Sequence, residues 1–237
     1  MGGAKWARNA APPTDDERRA FEKKPALLAH AKRLGELGER ITYVEQPSPE
    51  GFGHAVFQAK DFAGGDPFVL LLGDHVYTVP EGEKRVVRQL ADAYDATGGS
   101  VTGVRYEPES GVSVTGIIKG VPKSGGLYAI ERLQEKPTLD EVRELTTPGV
   151  RAGHYLGHFG VHLFTSAIFD ALGGLIERNL RVKNEFQLTS GQEDLLASGA
   201  TYHALLVNGE RWDIGMPDEY LKTLTALGRR GPYREEF

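Results

Sequence analysis

The chain has 237 residues, a net charge of −5 at neutral pH and no cysteine. The missing cysteines exclude a disulfide framework, thiolate metal ligands and thiol nucleophiles, and the acidic balance argues against nucleic acid as the main partner. The first residues contain no apolar signal segment, and no stretch reaches the roughly 18 apolar residues that cross a bilayer. We therefore expect a globular, cytoplasmic protein without a membrane partner.

The N-terminal part of the chain favours helices. Residues 1–16 are small and polar with prolines near their end, which is typical of a loose arm before a helix start. Residues 17–38 keep their apolar side chains at near-helical spacing, with a break at Pro25. We predict a flexible arm over residues 1–16, an α/β domain over residues 17–230 and a tail over residues 231–237.

The rest of the chain alternates between strand and helix patterns. Residues 67–72 are almost wholly apolar, which predicts a central strand covered on both faces. The other predicted strands are 41–44, 100–106, 116–119, 127–134, 154–164 and 202–207, and the predicted helices are 53–63, 81–96, 167–178, 192–198 and 217–227. This alternation predicts an α/β layered sheet with crossover helices.

An acid follows the apolar strand at residues 67–72. The sequence there reads Leu-Leu-Gly-Asp-His and places Asp74 beyond the carboxyl end of the strand, where open α/β sheets bind their ligands. Asp74 is therefore a candidate ligand for a metal ion. The alternative is a cap on the following turn.

A turn that contains glycines joins Gln46 to the helix predicted from residue 53. Gly51 and Gly53 would let the backbone approach a flat or anionic ligand, and the start of the helix would offer free N–H groups. An ordinary connection between a strand and a helix explains the same residues.

Glu135 and Lys136 stand at the end of a predicted strand, before Pro137. A lysine can supply a point charge to a phosphate, and a glutamate can accept hydrogen bonds from sugar hydroxyls. The alternative is a solvated pair of opposite charges.

Asp213 precedes a glycine turn and the helix predicted over residues 217–227. It is a candidate second carboxylate for the cation that Asp74 would hold, since Mg²⁺ in phosphoryl chemistry commonly takes one or two carboxylates plus substrate oxygens. The alternative is an ordinary acid at a helix start.

Three histidines, His154, His158 and His162, recur every four residues, which on a helix would align them for zinc. The glycines and aromatic residues around them favour a strand, in which four residues span about 13 Å. Because a zinc–nitrogen bond is only about 2.1 Å long, we interpret the histidines as lining a sheet face or a crevice wall.

Taken in order, these segments resemble the glucose-1-phosphate uridylyltransferases of the sugar-1-phosphate nucleotidyltransferase family. Those proteins have a glutamine strand with a Gly-Leu-Gly-His-Ala-Val-like turn, then Leu-Leu-Gly-Asp, Glu-Lys-Pro and a late Asp-x-Gly. The similarity covers residues 21–227. It implies a GT-A-like α/β fold, whose mixed sheet is mostly parallel and flanked by helices, and uridylyl transfer from UTP to a sugar 1-phosphate, giving a UDP-sugar and pyrophosphate.

The resemblance also implies roles for individual residues. Asp74, Lys136 and Asp213 are the expected catalytic residues, with Mg²⁺ held by the two aspartates and the sugar phosphate contacted by the lysine. The expected nucleotide-binding residues are Gln46, Gly51 and Gly53, and the expected sugar-binding residues are Gly116, Glu135 and Gly157. A sugar phosphate is mostly ionised at neutral pH, since its second pKa is near ~6, so the reaction needs no dedicated general base.

The sequence departs from the family pattern at its start. The family's opening strand and Gly-x-Gly-Thr-Arg-like loop, which cradles the triphosphate, have no match, and Ser190 stands where the family usually has Asp. We therefore expect a domain without its opening strand, in a truncated enzyme, one subunit of a split enzyme or a non-catalytic protein that binds nucleotide sugars. We also expect a homo-oligomer or a complementing chain. Residues 45–49 resemble the related thymidylyltransferases, which leaves the base open.

Overall fold

The computed structural model describes residues 12–231 and 234–236. The chain divides into two compact units, Met1–Glu45 and Gln46–Phe237. Residues 1–11 of the predicted arm, and residues 232, 233 and 237 of the predicted tail, lie outside the described residues. Within the tail, Arg234–Glu236 form one short 3₁₀ turn. The predicted domain over residues 17–230 stays a prediction.

The described part of the first unit contains two helices, α1 (Asp15–Phe21) and α2 (Pro25–Gly38). Thr14 caps α1, since its hydroxyl accepts the Glu17 N–H at 3.3 Å while the Glu17 carboxylate accepts the Thr14 N–H at 2.8 Å. The second helix begins at Pro25, which has no N–H to leave unpaired in a first turn. The predicted helices and the break between them are confirmed.

The prediction of a strand at residues 41–44 is wrong. These residues have no regular structure, and the side chains of Ile41, Tyr43 and Val44 are about half exposed. An extended segment is stable as a strand only when its backbone groups bond to a neighbouring strand. No described strand pairs with residues 41–44.

The second unit contains eight strands among its described residues. In chain order they are β1 (Phe68–Leu71), β2 (His75–Thr78), β3 (Ser100–Pro108), β4 (Ile117–Pro122), β5 (Leu127–Gln134), β6 (His154–Phe164), β7 (Tyr202–Leu206) and β8 (Glu210–Asp213). Six of them form one sheet in the order β1-β6-β3-β7-β5-β4, in which β4 also pairs with β6. The remaining two, β2 and β8, pair with each other.

Helices cover both faces of the six-stranded sheet. The helices of the second unit are α3 (Phe52–Phe57), α4 (Lys60–Ala63), α5 (Val86–Thr97), α6 (Leu139–Val142), α7 (Ala167–Glu177), α8 (Leu188–Ala197) and α9 (Pro217–Arg230), the last of which packs against β8. On one face, α7 and α8 bury Phe169 and Leu195 against Phe164 of β6. On the other face, α5 buries Leu90 against Leu163 of the same strand. The layered α/β architecture with flanking helices is confirmed.

The pairing of the strands corrects the prediction of a mostly parallel sheet. Among the described strands, β3 and β7 form the single parallel pair, and the other neighbours in the sheet are antiparallel. β1, β3, β4 and β7 do run in one direction. However, β6 lies between β1 and β3, and β5 lies between β7 and β4, each in the opposite direction. Local strand and helix patterns do not reveal that a later strand is inserted between two earlier ones.

The apolar strand at residues 67–72 is an edge strand in the described sheet, so the prediction of a central strand is wrong. β1 pairs there with β6 alone. Its side chains alternate, since Phe68 and Leu70 pack on the core whereas Val69 and Leu71 are 36% and 47% exposed. An apolar composition therefore does not establish that both faces of this strand are covered.

No helix among the residues that the structure describes is both long enough and apolar enough to cross a membrane.

Candidate active site

The small sheet brings the two predicted metal acids together. β2 and β8 are antiparallel, and His75 lies directly opposite Asp213. Asp74 immediately precedes β2, and its carbonyl accepts the N–H of Ile214 at 2.8 Å. One carboxylate oxygen from each aspartate and one ring nitrogen of His75 all lie within 4.8 Å of one another. This convergence agrees with a shared cation, whose presence stays a prediction.

His75 was not among the residues predicted from the sequence. Its Nε2 lies 3.9 Å from Oδ1 of Asp74 and 3.7 Å from Oδ2 of Asp213, and its side chain is only 9% exposed. Burial and the nearby Arg211 lower the pKa of His75, whereas the two carboxylates raise it less, so the imidazole is neutral at neutral pH. A histidine directly after a candidate metal acid was the available signal in the sequence.

A cleft of about 300 Å³ opens beside this cluster. Its walls include three residues of the predicted sugar and phosphate sites, Gly116, Glu135 and Lys136, together with Asp213. They also include four side chains that were not predicted, namely His75, Arg105, Thr189 and Arg211. The cleft thus collects positive, negative and hydroxyl groups suited to a phosphorylated, hydroxyl-rich ligand.

Glu135 and Lys136 lie just beyond β5. Thr189 donates its hydroxyl to Oε2 of Glu135 at 2.8 Å, and Nζ of Lys136 lies 3.8 Å from the other carboxylate oxygen. Lys136 has a φ of 46°, a left-handed conformation that is uncommon outside glycine. Strained conformations of this kind cluster at functional sites, which supports a role for Lys136 beyond a solvated ion pair.

Two arginines add positive charge to the cleft. Arg105 donates from Nε and Nη2 to Oε2 of the buried Glu107, both at 2.7 Å. Arg211 donates to the carbonyl of His158 at 3.3 Å. Since a guanidinium group suits phosphate oxygens, Arg211 is an additional candidate phosphate contact. Arg105 gave no signal in the sequence, whereas Arg211 stands two residues before Asp213 in the same segment.

Gln46, Gly51 and Gly53 do not line the cleft within the described part of the chain. The Gln46 amide donates to the carbonyl of Gly51 at 3.1 Å, and the Gly53 N–H donates to the carbonyl of Phe186 at 2.8 Å. A Cβ atom at Gly51 or Gly53 would lie 2.7 or 2.8 Å from that carbonyl, and Gly51 also has a φ of 115°. Both glycines allow close packing inside the protein, and their contact with a nucleotide stays a prediction.

Gly157 is buried behind the cleft rather than in its wall. It pairs with Arg105 of β3 and with Ile117 of β4. A Cβ atom at this position would lie 2.8 Å from Cβ of Glu107. Its packing therefore explains the glycine, and its predicted contact with a sugar is untested.

The histidine strand has the predicted bounds, His154–Phe164, and His158 lines the cleft as expected of a crevice wall. The ring centroids of His158 and His162 are 5.5 Å apart, so the two side chains lie closer than the backbone span of about 13 Å for four strand residues suggests. Gly160 lies between them with a φ of 82°, and the register with β3 shifts nearby. This bend brings the two rings together. Among the described residues, the metal-ligating cluster is the one at Asp74, and it includes neither ring.

The family model described as nucleotidyl transferase matches residues 20–229. The chain belongs to the nucleotidyl transferase family. The chain is 34% identical over 192 residues to a UTP–glucose-1-phosphate uridylyltransferase of Staphylococcus epidermidis, covering 81% of the chain and 61% of that protein. It is 32% identical over 209 residues to UTP–glucose-1-phosphate uridylyltransferase YngB of Bacillus subtilis, covering 88% and 64%. The chain thus spans about three fifths of the length of these curated relatives.

Solved structures share the fold of the chain. A UDP-glucose pyrophosphorylase complexed with UDP-glucose aligns with a TM-score of 0.74 at 20% identity, covering 96% of this chain and 78% of that one. A UTP-bound UGPase from Acinetobacter baumannii aligns with a TM-score of 0.75 at 25% identity, covering 95% and 73%. These likenesses confirm the predicted α/β nucleotidyltransferase fold.

Proposed function

We propose that this nucleotidyl transferase transfers a uridylyl group from UTP to a sugar 1-phosphate, with glucose 1-phosphate as the first candidate. The observation that carries the proposal is the convergence of Asp74 and Asp213 beside a cleft that also holds Glu135 and Lys136. The names of the two uridylyltransferase relatives support the choice of base and sugar.

Asp74 and Asp213 would hold Mg²⁺, whose preferred ligands are oxygens. Their side chains are 52% and 31% exposed, which leaves open positions for water and for phosphate oxygens of the substrate. When bound, the ion would neutralise negative charge on the phosphate groups.

Lys136 would contact the phosphate of the sugar 1-phosphate, and Arg211, which also lines the cleft, would add a second positive charge. Glu135 and Gly116 would face the sugar, whose hydroxyls can donate to the Glu135 carboxylate. A non-bridging oxygen of the sugar phosphate would attack the α-phosphorus of UTP, and the bond to the β-phosphate would break to release pyrophosphate. The side chains supply positioning and charge neutralisation, which dominate such reactions.

The proposed nucleotide contacts lie at the start of α3. Gln46, Gly51 and Gly53 would face the base, and the aromatic ring of Phe52, which lies between the two glycines, is in the cleft wall. This placement supports a nucleotide that extends from the cleft toward the first turn of α3.

The test follows pyrophosphate release from UTP and glucose 1-phosphate in the presence of Mg²⁺, with dTTP in a parallel reaction. We expect UTP-dependent release that is lost in Asp74→Asn and kept in Asp218→Asn, a matched exposed acid in the first turn of α9. Folding of both variants is checked by circular dichroism. Normal turnover in Asp74→Asn would contradict the proposed metal role.

Two other outcomes would favour the alternatives. Binding of UDP-glucose without any pyrophosphate release would favour a non-catalytic protein that binds nucleotide sugars. Release that occurs only after addition of a chain carrying the family's opening strand and Gly-x-Gly-Thr-Arg-like loop would favour one subunit of a split enzyme.

A further inference from the structure

We infer that His75 is a third protein ligand of the cation held by Asp74 and Asp213, so that the site binds a first-row transition ion such as Mn²⁺ or Co²⁺ more tightly than Mg²⁺. The inference rests on the proposed metal role of the two aspartates. It adds an imidazole ligand and a class of metal to that role.

The distances around His75 fit a shared ion better than a hydrogen bond. Two atoms that each lie about 2.1 Å from one ion are at most about 4.2 Å apart. Nε2 of His75 lies 3.9 Å from the nearest oxygen of Asp74 and 3.7 Å from that of Asp213. A proton on Nε2 would instead draw a carboxylate oxygen to about 2.7–3.2 Å.

Nε2 of His75 is aimed at the two carboxylates and has no hydrogen-bond partner among the described residues. The side chain is 9% exposed and lines the cleft, so a water molecule in the cleft is the alternative partner for Nε2. A nitrogen lone pair that faces two anionic oxygens is repelled unless a positive centre lies between them. A bound cation satisfies all three groups at once.

Tyr77 favours the tautomer of His75 that can bind a metal ion, in which Nδ1 carries the proton and Nε2 is free of it. The Tyr77 hydroxyl donates to the carbonyl of Gly160 at 2.6 Å, and its oxygen lies 3.4 Å from Nδ1 of His75. Because the hydroxyl proton is used on Gly160, the Tyr77 oxygen accepts from Nδ1–H. Nε2 then carries the lone pair, as in metal sites where a hydrogen bond to the second nitrogen sets the tautomer.

The backbone holds the three ligands in place. His75 and Asp213 are directly opposed in the β2–β8 ladder, and directly opposed side chains share one face of a sheet. The N–H of Ile214 donates to the carbonyl of Asp74 at 2.8 Å, which fixes the third ligand against the same ladder. The arrangement therefore does not depend on long, freely rotating side chains.

An imidazole ligand changes the order of metal affinities. Mg²⁺ prefers oxygen ligands and gains little from nitrogen, whereas affinity for nitrogen-containing sites rises from Mn²⁺ through Co²⁺. Removal of His75 should therefore weaken Co²⁺ binding by at least about 10-fold. That is the smallest loss of metal affinity usually seen when a group that hydrogen-bonds to a metal ligand is removed. Mg²⁺ binding should change much less.

The decisive measurement is pulsed electron paramagnetic resonance of Mn²⁺ added to the full chain. We expect echo modulation from a directly bound imidazole nitrogen in the wild type, its loss in His75→Gln, and its retention in His30→Gln, an exposed histidine of α2. Isothermal titration with Co²⁺ and with Mg²⁺ on the same proteins gives the affinities. Tyr77→Phe should weaken Co²⁺ binding by roughly 10-fold while leaving the ring in place.

The outcomes separate this inference from the proposed function. Mn²⁺ that binds with no nitrogen modulation, yet is lost in Asp213→Asn, would overturn the His75 ligand and leave the carboxylate site standing. Wild-type protein that binds neither Mn²⁺ nor Mg²⁺ would overturn both. The wild-type spectrum decides the matter even if His75→Gln fails to fold.

Discussion

His75 and Asp213 lie directly opposite each other in the β2–β8 sheet, with Nε2 and Oδ2 3.7 Å apart. The five strands from β3 to β7 separate these two residues along the chain. The site therefore forms only when the segment after β1 pairs with the segment before α9. Any state in which the small sheet is open also lacks the cluster of Asp74, His75 and Asp213.

Asp213→Asn should weaken binding of Mn²⁺ by more than roughly 10–100-fold, the loss of affinity that follows removal of a group that only hydrogen-bonds to a metal ligand. The change removes one negative charge from the cluster and keeps the side-chain shape. Isothermal titration measures the affinity, and Asp218→Asn is the control because that acid lies outside the cluster. Equal affinities of the two variants would remove Asp213 from the site.

Lys136→Met should raise the KM for glucose 1-phosphate by roughly 10–100-fold, since a hydrogen bond to a charged group contributes about 1.5–3 kcal/mol. Methionine keeps much of the side-chain stem and removes the ammonium group. Lys123→Met, in the exposed turn between β4 and β5, is the matched control. If the chain shows no turnover, the affinity for the sugar phosphate is measured by ligand-observed NMR. An unchanged KM or affinity would contradict the phosphate contact.

Gly53→Ala should lower the free energy of unfolding by about 1–3 kcal/mol, the usual cost of overpacking. The added Cβ would lie 2.8 Å from the Phe186 carbonyl and 2.9 Å from the backbone of Gln187. Alanine alone would stabilise a helix by about 1 kcal/mol relative to glycine, so the sign of the change is informative. Gly73→Ala, where a Cβ meets no atom within 4 Å, is the control in urea denaturation. Stabilisation by Gly53→Ala would contradict the close contact.

Acidification should destabilise the protein through His158. Burial lowers the pKa of His158 from 6.5 to about 4, and its Nε2 has no partner among the described residues. Between these two values the unfolded chain binds a proton at this position that the folded protein does not, so stability falls as the pH falls. The full loss is about 3 kcal/mol for this one group.

Urea denaturation at a series of pH values measures this effect in the wild type and in His158→Gln. The variant should lose less stability between neutral pH and pH ~4, whereas His30→Gln should follow the wild type because His30 is exposed. Parallel pH profiles for the wild type and His158→Gln would show that His158 does not carry the dependence.

The elements with a strong local pattern were predictable from the sequence. The aromatic and glycine pattern of residues 154–164 gave β6 with its observed bounds, and Pro25 gave the start of α2. The two strands of the small sheet were not predicted, because β2 and β8 have four residues each and most of these are polar or charged. They are stabilised by pairing with each other across the chain, which no local pattern reveals.

The candidate site was also predictable only in part. Asp74, Glu135, Lys136 and Asp213 follow strand ends or precede turns, and family-like motifs mark all four. Arg105 lies within a long strand and carries no motif. Its place in the cleft depends on the register of β3 against β6, which only the folded arrangement determines.

Gly160 lies both at the bend of β6 and against the ring of His75. Its φ of 82° belongs to the bend in β6, its carbonyl accepts the Tyr77 hydroxyl, and a Cβ there would lie 2.3 Å from Nδ1 of His75. A Cβ atom at this position would collide with the imidazole, and any other residue would have to adopt a backbone conformation that glycine takes most readily. A substitution at residue 160 therefore disturbs the backbone of β6 and the position of the His75 ring together.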